Sequence, residues 1–321
     1  MALTARCAAA VVLVLLGSAV FAQPYPARPV RVIVTFPPGA GSDISTRLVT
    51  AKLSETFGRP FVIDNRAGAA GNIGVELAAH AAPDGYTLLA VTASAAISQS
   101  AYAKVPFDLA THFSPIALIA SAPFILAVHP AIPAKSLQEL IALAKSKPGQ
   151  LSYATPGTGS SPHLAGELLK MEVGIDLLHV PYKGTVPAVA DVMGGNVSMA
   201  LANTLVALPH VKAGRLRGIA ITSARRSTLV PELPTIAESA VRGFEAGTWY
   251  GLLAPAGAPR EIVSRLNRAV VQIVQLPDVR EKLAAQGAEP LAGSPEQAGE
   301  FVRREISRWA KVVKAANIRL D

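Results

Sequence analysis

The sequence predicts an α/β protein of two lobes around a shared cleft, and three observations carry that prediction. Strand-like and helix-like segments alternate along most of the chain, the pattern of a mixed, mostly parallel sheet flanked by helices. Two distant segments, Phe36-Pro-Pro-Gly-Ala-Gly-Ser-Asp43 and Tyr153-Ala-Thr-Pro-Gly-Thr-Gly-Ser-Ser-Pro-His163, share one design: an apolar run, a Gly/Pro/Ser loop, then a helical pattern. The last quarter of the chain carries helices with no strand of their own, so it must dock on a sheet made earlier.

The elements follow in order. Residues 29–36 alternate and are β-branched (Val30, Val32, Ile33, Val34), and residues 43–57 then place Ile44, Leu48 and Ala51 on one helical stripe before Gly58 stops the helix. Residues 61–63 form a second short strand, and Asn65-Arg66-Ala67-Gly68-Ala69-Ala70-Gly71 leads into a helix over residues 73–80. Pro83-Asp84-Gly85 is a turn, and the strand over residues 86–91 runs into Thr92-Ala93-Ser94. Residues 116–120 and 124–128 read as two strands, where the chain passes into the other lobe. Ser136-Leu-Gln-Glu139 is a capping box that starts a helix ended by Pro148-Gly149. The second loop-and-helix unit begins at Leu151, and alternation continues to Thr222, with Gly194 and Gly214 as helix stops. One more strand, residues 249–253, precedes helices over residues 260–274, 278–286 and 295–315, the last capped by Ser294 with Gln297. This order implies a discontinuous first lobe, residues 23–124 plus 246–321, wrapped around a continuous second lobe, residues 125–245.

Composition bounds the function. The 321-residue chain is 50% hydrophobic and 16% charged, which is enough apolar material for two cores and unlike a disordered segment. Its formal net charge of +8 comes from Lys and Arg residues scattered along the chain with no dense run, which argues for a solvated basic surface and against nucleic-acid binding. The N-terminus has one basic residue, Arg6, an apolar core over residues 8–16 and the small-residue ending Val20-Phe21-Ala22, the pattern of an export signal over residues 1–22, cleaved after Ala22. The apolar stretch falls short of the ~20 residues of a membrane span. Cys7, the only cysteine, lies inside this leader, so the mature chain is expected to have no disulfide and no thiol nucleophile. The histidines lack metal-ligand spacing, and no cofactor is expected.

A strand that ends in a Gly-rich loop and enters a helix leaves the first helical N–H groups unpaired at the positive end of the helix dipole. Both repeated loops therefore offer a carboxylate or phosphate a seat without lysine or arginine, although plain turn chemistry also calls for such glycines. Tyr182 and Asn203, each just past a strand, are further cleft candidates, and Trp249 and Tyr250 are either core aromatics or a cleft wall. Two other readings stand beside capture of an anion. Ser160 with His163 could be a nucleophile and base of a secreted ester or amide hydrolase, but no Gly-x-Ser-x-Gly elbow is present and no acid is placed to orient the imidazole. Gly68-x-x-Gly71-x-x-Gly74 differs in spacing from a dinucleotide fingerprint.

The segments Pro37-Pro38-Gly39-Ala40-Gly41-Ser42-Asp43, Asn65-Arg66-Ala67-Gly68-Ala69-Ala70-Gly71-Asn72-Ile73-Gly74, Pro83-Asp84-Gly85-Tyr86-Thr87-Leu88-Leu89, Val180-Pro181-Tyr182-Lys183-Gly184, Trp249-Tyr250-Gly251-Leu252-Leu253-Ala254-Pro255-Ala256-Gly257 and Trp309-Ala310-Lys311-Val312-Val313 occur in order across the mature chain. With them the chain resembles the periplasmic solute-binding proteins of tripartite tricarboxylate transporters, the Bug family. Ala40 and Ala70 stand where that family usually has glycine, and Ala67 where it usually has proline. The resemblance implies a two-lobed periplasmic binding protein of type II-like fold that closes on a small carboxylate and delivers it to the permease subunits of a tripartite transporter; the chain is read as a monomer, and a receptor that reports the ligand to a sensor is a third alternative. It also implies the ligand-binding residues Gly39, Ala40, Gly41 and Asp43 of the first loop, Thr92 and Ser94, and Gly157, Gly159, Ser160 and His163 of the second; Phe36, at the start of the first loop segment, is a further candidate.

Overall fold

The computed structural model describes residues 25–320 apart from residues 229, 286, 316 and 317; the expected leader and its cleavage site lie outside them. Two sheets organise the chain. The first has the order β2 (Phe61–Asn65), β1 (Val30–Val34), β3 (Thr87–Thr92), β9 (Gly247–Pro255) and the first part of β4 (Phe113–Val128), with the two-residue β10 (Glu289–Pro290) also on β4. Strands β2, β1 and β3 are parallel, with Val32 opposite both Ile63 and Leu88, while β9 joins antiparallel, Val91 opposite Gly251. Val30, Val32, Ile33 and Val34 are fully buried, as expected of a strand covered on both faces.

The second sheet has the order β6 (Leu178–Pro181), β5 (Ser152–Thr155), β7 (Met199–Asn203), the last part of β4 and β8 (Arg217–Ile221). Here β5 is parallel to both neighbours and β4 antiparallel to β7 and β8. The strands expected separately at residues 116–120 and 124–128 are one 16-residue strand that changes sheets. Pro123 is paired with Gly247 of the first sheet, and Phe124 with Asn203 of the second. A proline has no N–H to give to a ladder, and its place at the handover loses no bond there.

Helices α1 (Gly41–Phe57), α2 (Asn72–Ala79) and α3 (Ala93–Ala101) follow the first three strands in turn. The buried face of α1 is Ser45, Thr46, Val49, Thr50 and Leu53, and the expected stripe lies to its side, Ile44 and Leu48 half-buried and Ala51 exposed. Its small hydroxyl residues leave little bulk between helix and neighbours. In the second lobe, α4 (Leu137–Ser146), α5 (Ser161–Val173), α6 (Thr185–Met193), α7 (Thr204–Lys212) and the short α8 (Ile236–Ser239) cover the sheet. The terminal helices α9 (Arg260–Gln275), α10 (Pro277–Ala284) and α11 (Pro295–Ala315) dock back on the first lobe: α9 on α1 and β4, α11 on α3 and β4. The expectation of helices alone after β9 needs one correction, since β10 pairs with Ser121 and Ala120 of β4. Ser294 and Gln297 form the expected reciprocal cap of α11, with N–H···O distances of 2.9 and 3.3 Å.

Thr222, just past β8, ties the two crossovers together. Its buried hydroxyl accepts from the Phe124 N–H at 2.8 Å and donates to the Ala246 carbonyl at 2.6 Å. Trp249, two residues past the second handover, donates its indole N–H to Glu305 of α11 at 3.0 Å, and Trp309 donates to the same carboxylate oxygen at 3.1 Å. The strand that leaves the second crossover is thereby tied to the last helix.

Among the described residues, no helix is long and apolar enough to cross a membrane and no three metal-ligating side chains gather.

Candidate functional site

A cavity of about 320 Å3, its mouth included, lies between the lobes where β1, β3, β5, β6 and β7 each hand over to a helix. Its walls carry residues from the first turns or N-caps of five helices: Gly41 and Ser42 of α1, Thr92 and Ser94 of α3, Ser161 and Pro162 of α5, Thr185 of α6 and Asn203 of α7. Five helix dipoles thus present positive ends to one space, and among the described residues no charged side chain lines it. Phe36, Phe124, Pro156 and Ala40 supply apolar wall, and Thr248 and Tyr250 of the crossover strand β9 close the floor. Successive residues of a strand face opposite ways, so Trp249 points away to Glu305. A second groove, about 1410 Å3, reaches the same crossover strands at Ser121 and Trp249. Its Arg226 and Arg308 already bond Glu238 and Glu305, and the five helix N-termini open into the smaller cavity instead.

The lobes meet around the small cavity. The Ser161 N–H donates to Ser94 Oγ at 3.2 Å, the Tyr102 hydroxyl to the Thr158 carbonyl at 3.4 Å, and the Asn203 amide to the Tyr250 hydroxyl. Gly184 and Gly39 receive Pro37 and Val186 of the facing lobe, leaving a Cβ only 3.0 and 3.3 Å from them. The cleft is shut by these contacts.

Of the residues expected at the site, Phe36, Ala40, Gly41, Thr92, Ser94 and Asn203 line the cavity. Ala40 has φ −68° and ψ 157°, a conformation open to any residue, so alanine at this position carries no backbone strain. Ala70 is different: at φ 54° it occupies the left-handed region that favours glycine.

Gly39, Asp43, Gly157, Gly159, Ser160, His163 and Tyr182 stand behind the walls and hold the loops. Asp43 accepts from the Gly39 N–H at 2.9 Å, from Arg47 and from Asn65, so its buried carboxylate braces the first loop. Burial opposes ionisation of this carboxyl, but those hydrogen bonds and the Arg47 charge hold it below its ordinary range. In the second loop, Ser160 Oγ donates to the Gly157 carbonyl at 2.6 Å, and the Gly159 N–H donates to His163 Nδ1 at 3.2 Å. His163 stacks on His179 with ring centroids 4.1 Å apart, and His179 Nε2 lies 2.6 Å from Thr155 Oγ1. Burial lowers both imidazoles, His179 to about 4. Ser160 and His163 therefore bond loop groups and not each other. Tyr182 donates to Asp191 at 2.5 Å, its hydroxyl pushed up to about 12 by burial and by that carboxylate.

Sequence reasoning did not single out Ser42, Ser161, Thr185 and Thr248. A signal existed for the first three, which are hydroxyl residues in the first turn of a helix after a strand-ending loop. Ser42 is the most informative, being buried with its Oγ unpartnered among the described residues. The hydroxyl oxygens of Thr92, Ser94 and Tyr250 each accept one N–H, from Ser94, Ser161 and Asn203, and no acceptor for their own protons lies among the described residues.

Residues 45–318 match the family described as the tripartite tricarboxylate transporter family receptor. The chain is 38% identical over 307 residues to Protein BugT of Bordetella pertussis, covering 95% of this chain and 94% of BugT. Among solved structures it superposes on R. palustris Rpa4515 with adipate at TM-score 0.89 and 38% identity, covering 92% and 99% of the two chains. MatC from Rhodopseudomonas palustris with bound malate gives TM-score 0.86 and 33% identity, with 90% and 100% covered. The periplasmic binding protein BugD gives TM-score 0.88 and 33% identity over 92% and 99%. By sequence and by fold, the chain belongs to the tripartite tricarboxylate receptor family of periplasmic solute-binding proteins, the Bug family.

Proposed function

We propose that this protein captures a small carboxylate between its lobes and delivers it to the permease of a tripartite tricarboxylate-type transporter. The observation that carries the reading is the excess of donors in the cavity. Ser42, Thr92 and Ser94, at the positive ends of helices, and Tyr250, beside the first residue of α1, each have a hydroxyl proton with no acceptor among the described residues, and such groups ask for a ligand rich in acceptors. A carboxylate meets that demand, and neutral donors hold it without the desolvation cost of a buried cation. The relatives with adipate and malate support this class. The moving bodies in this reading are residues 23–124 with 246–321, and residues 125–245. The leader is removed after Ala22 and the mature monomer works in the periplasm. The hydrolase reading loses its support, because the Ser160 hydroxyl is bonded to Gly157 and the Nδ1 of His163 to Gly159.

The test is a thermal-shift series on residues 23–321 with mono-, di- and tricarboxylates, aromatic acids, phosphates, esters and nucleotides. Ligand at 100 times its dissociation constant stabilises by about 2.7 kcal/mol, which moves the midpoint of a chain this long by roughly 4 °C. A rise confined to carboxylates is the expected result. A response to esters or nucleotides with none to any carboxylate overturns the proposal.

A further inference from the structure

Asn203 ends β7 and caps α7, and its side chain has two different tasks at its two ends. Oδ1 accepts the Leu205 N–H at 3.3 Å, the bond that caps the helix. That bond decides which way the amide is turned, so the end facing Tyr250 is Nδ2, which has only protons to offer. The Tyr250 oxygen must then accept, and its own proton must leave in another direction.

Tyr250 has little freedom to choose that direction. Its backbone lies in β9 with Thr92 on one side and Ala120 on the other, and the residue is buried. Over the pair sits Gly41, the first residue of α1, so close that a Cβ there would lie 2.9 Å from Asn203 Nδ2 and nearer still to the Tyr250 hydroxyl. The phenol therefore sits beside the unpaired amides of the first turn of α1, on the floor of the cavity.

We propose that Asn203 is a positioning residue: by capping α7 it presents only donors to Tyr250 and so makes the Tyr250 hydroxyl a hydrogen-bond donor to the bound ligand. Its action on the ligand passes through Tyr250, which comes from the other sheet. A helix cap in one lobe thereby sets the polarity of a binding group in the other. Burial holds the Tyr250 phenol far above its ordinary pKa, in keeping with a neutral donor and not a phenolate. The inference rests on the reading of the ligand as a carboxylate, and its test separates the two.

The variants are Asn203→Ser, which keeps a capping oxygen on a side chain too short to span to Tyr250, Tyr250→Phe, the double variant, and Asn203→Asp. The ligand-independent arm is the Raman tyrosine doublet of Tyr250, isolated as the difference between wild type and Tyr250→Phe. Without ligand it should have the form of an acceptor phenol in wild type and of a donor phenol in Asn203→Asp, whose carboxylate takes the proton. A donor form in unliganded wild type overturns the proposal. The second arm is calorimetry with adipate as the probe. Each single variant, Asn203→Ser and Tyr250→Phe, should weaken binding about 10-fold, and the double variant should be no weaker than the worse single one. Losses that multiply mean that Asn203 acts on the ligand directly, which overturns the proposal. Wild type that binds no carboxylate while the Raman arm holds sinks the carboxylate reading and leaves the positioning role of Asn203 toward Tyr250 intact.

Discussion

Valine in place of Thr222 exchanges one hydroxyl for a methyl of nearly the same volume, yet both chain crossovers depend on that hydroxyl. It accepts from the Phe124 N–H at 2.8 Å and donates to the Ala246 carbonyl at 2.6 Å. The backbone bonds Thr222 N–H to the Phe124 carbonyl and Ala246 N–H to the Thr222 carbonyl, at 3.0 and 2.9 Å, remain in the variant. Thr222 and Phe124 are fully buried and Ala246 is 3% exposed, so bulk water does not replace the lost partner. Each buried group left unsatisfied costs about 1–3 kcal/mol, and the added methyl returns up to about 1 kcal/mol. The expected net loss is about 2–4 kcal/mol, read as a lower urea midpoint at unchanged slope. Thr222→Ser keeps the hydroxyl and should lose only about 1 kcal/mol. Thr222→Val within about 0.5 kcal/mol of wild type, or less damaging than Thr222→Ser, refutes this account of the crossovers.

Three further outcomes follow from the same geometry. Because burial lowers His179 to about 4, the unfolded chain takes up this proton first, so stability is lost as pH falls from about 6.5 towards 4 and levels off below. The full shift corresponds to about 3 kcal/mol, reduced by partial solvent screening to about 1–2 kcal/mol; thermal melts between pH 7 and 4.5 should show a steeper loss in wild type than in His179→Phe, where the lowered His163 still contributes, and equal slopes count against it. Gly159 has φ +81°, and a Cβ there would lie 2.7 Å from Leu320 and 3.1 Å from Tyr102 across the cleft. Gly159→Ala should therefore lower carboxylate affinity at least about 10-fold by calorimetry, with a stability change of only about 1–2 kcal/mol; unaltered affinity contradicts it. Glu305→Leu orphans the indole N–H groups of Trp249 and Trp309, the only two tryptophans, and should cost about 2–4 kcal/mol in fluorescence-detected unfolding, a loss below about 1 kcal/mol being the contrary result.

What the sequence by itself determined was local: where strands end, which loops carry glycine and hydroxyl residues, and where helices begin. Periodicity and capping act over a few residues, and so β1, the loop before α1 and the cap at Ser294 are legible without a structure. Ser42, Ser161 and Thr185 carried that signal too, but in a single sequence nothing separates a hydroxyl at a helix start that faces a cavity from one that faces solvent. Tertiary structure alone decided that five helix N-termini face one space, because their convergence depends on β4 leaving the first sheet at Pro123 and entering the second at Phe124. It also decided the direction of individual side chains. Asp43 and His163 turn back to hold their own loops, where unpaired loop amides would otherwise compete, while Thr248 and Tyr250 face the cavity and Trp249 faces α11. Adjacent strand residues point to opposite faces, and only the sheet's neighbours determine which face is the cleft and which the core.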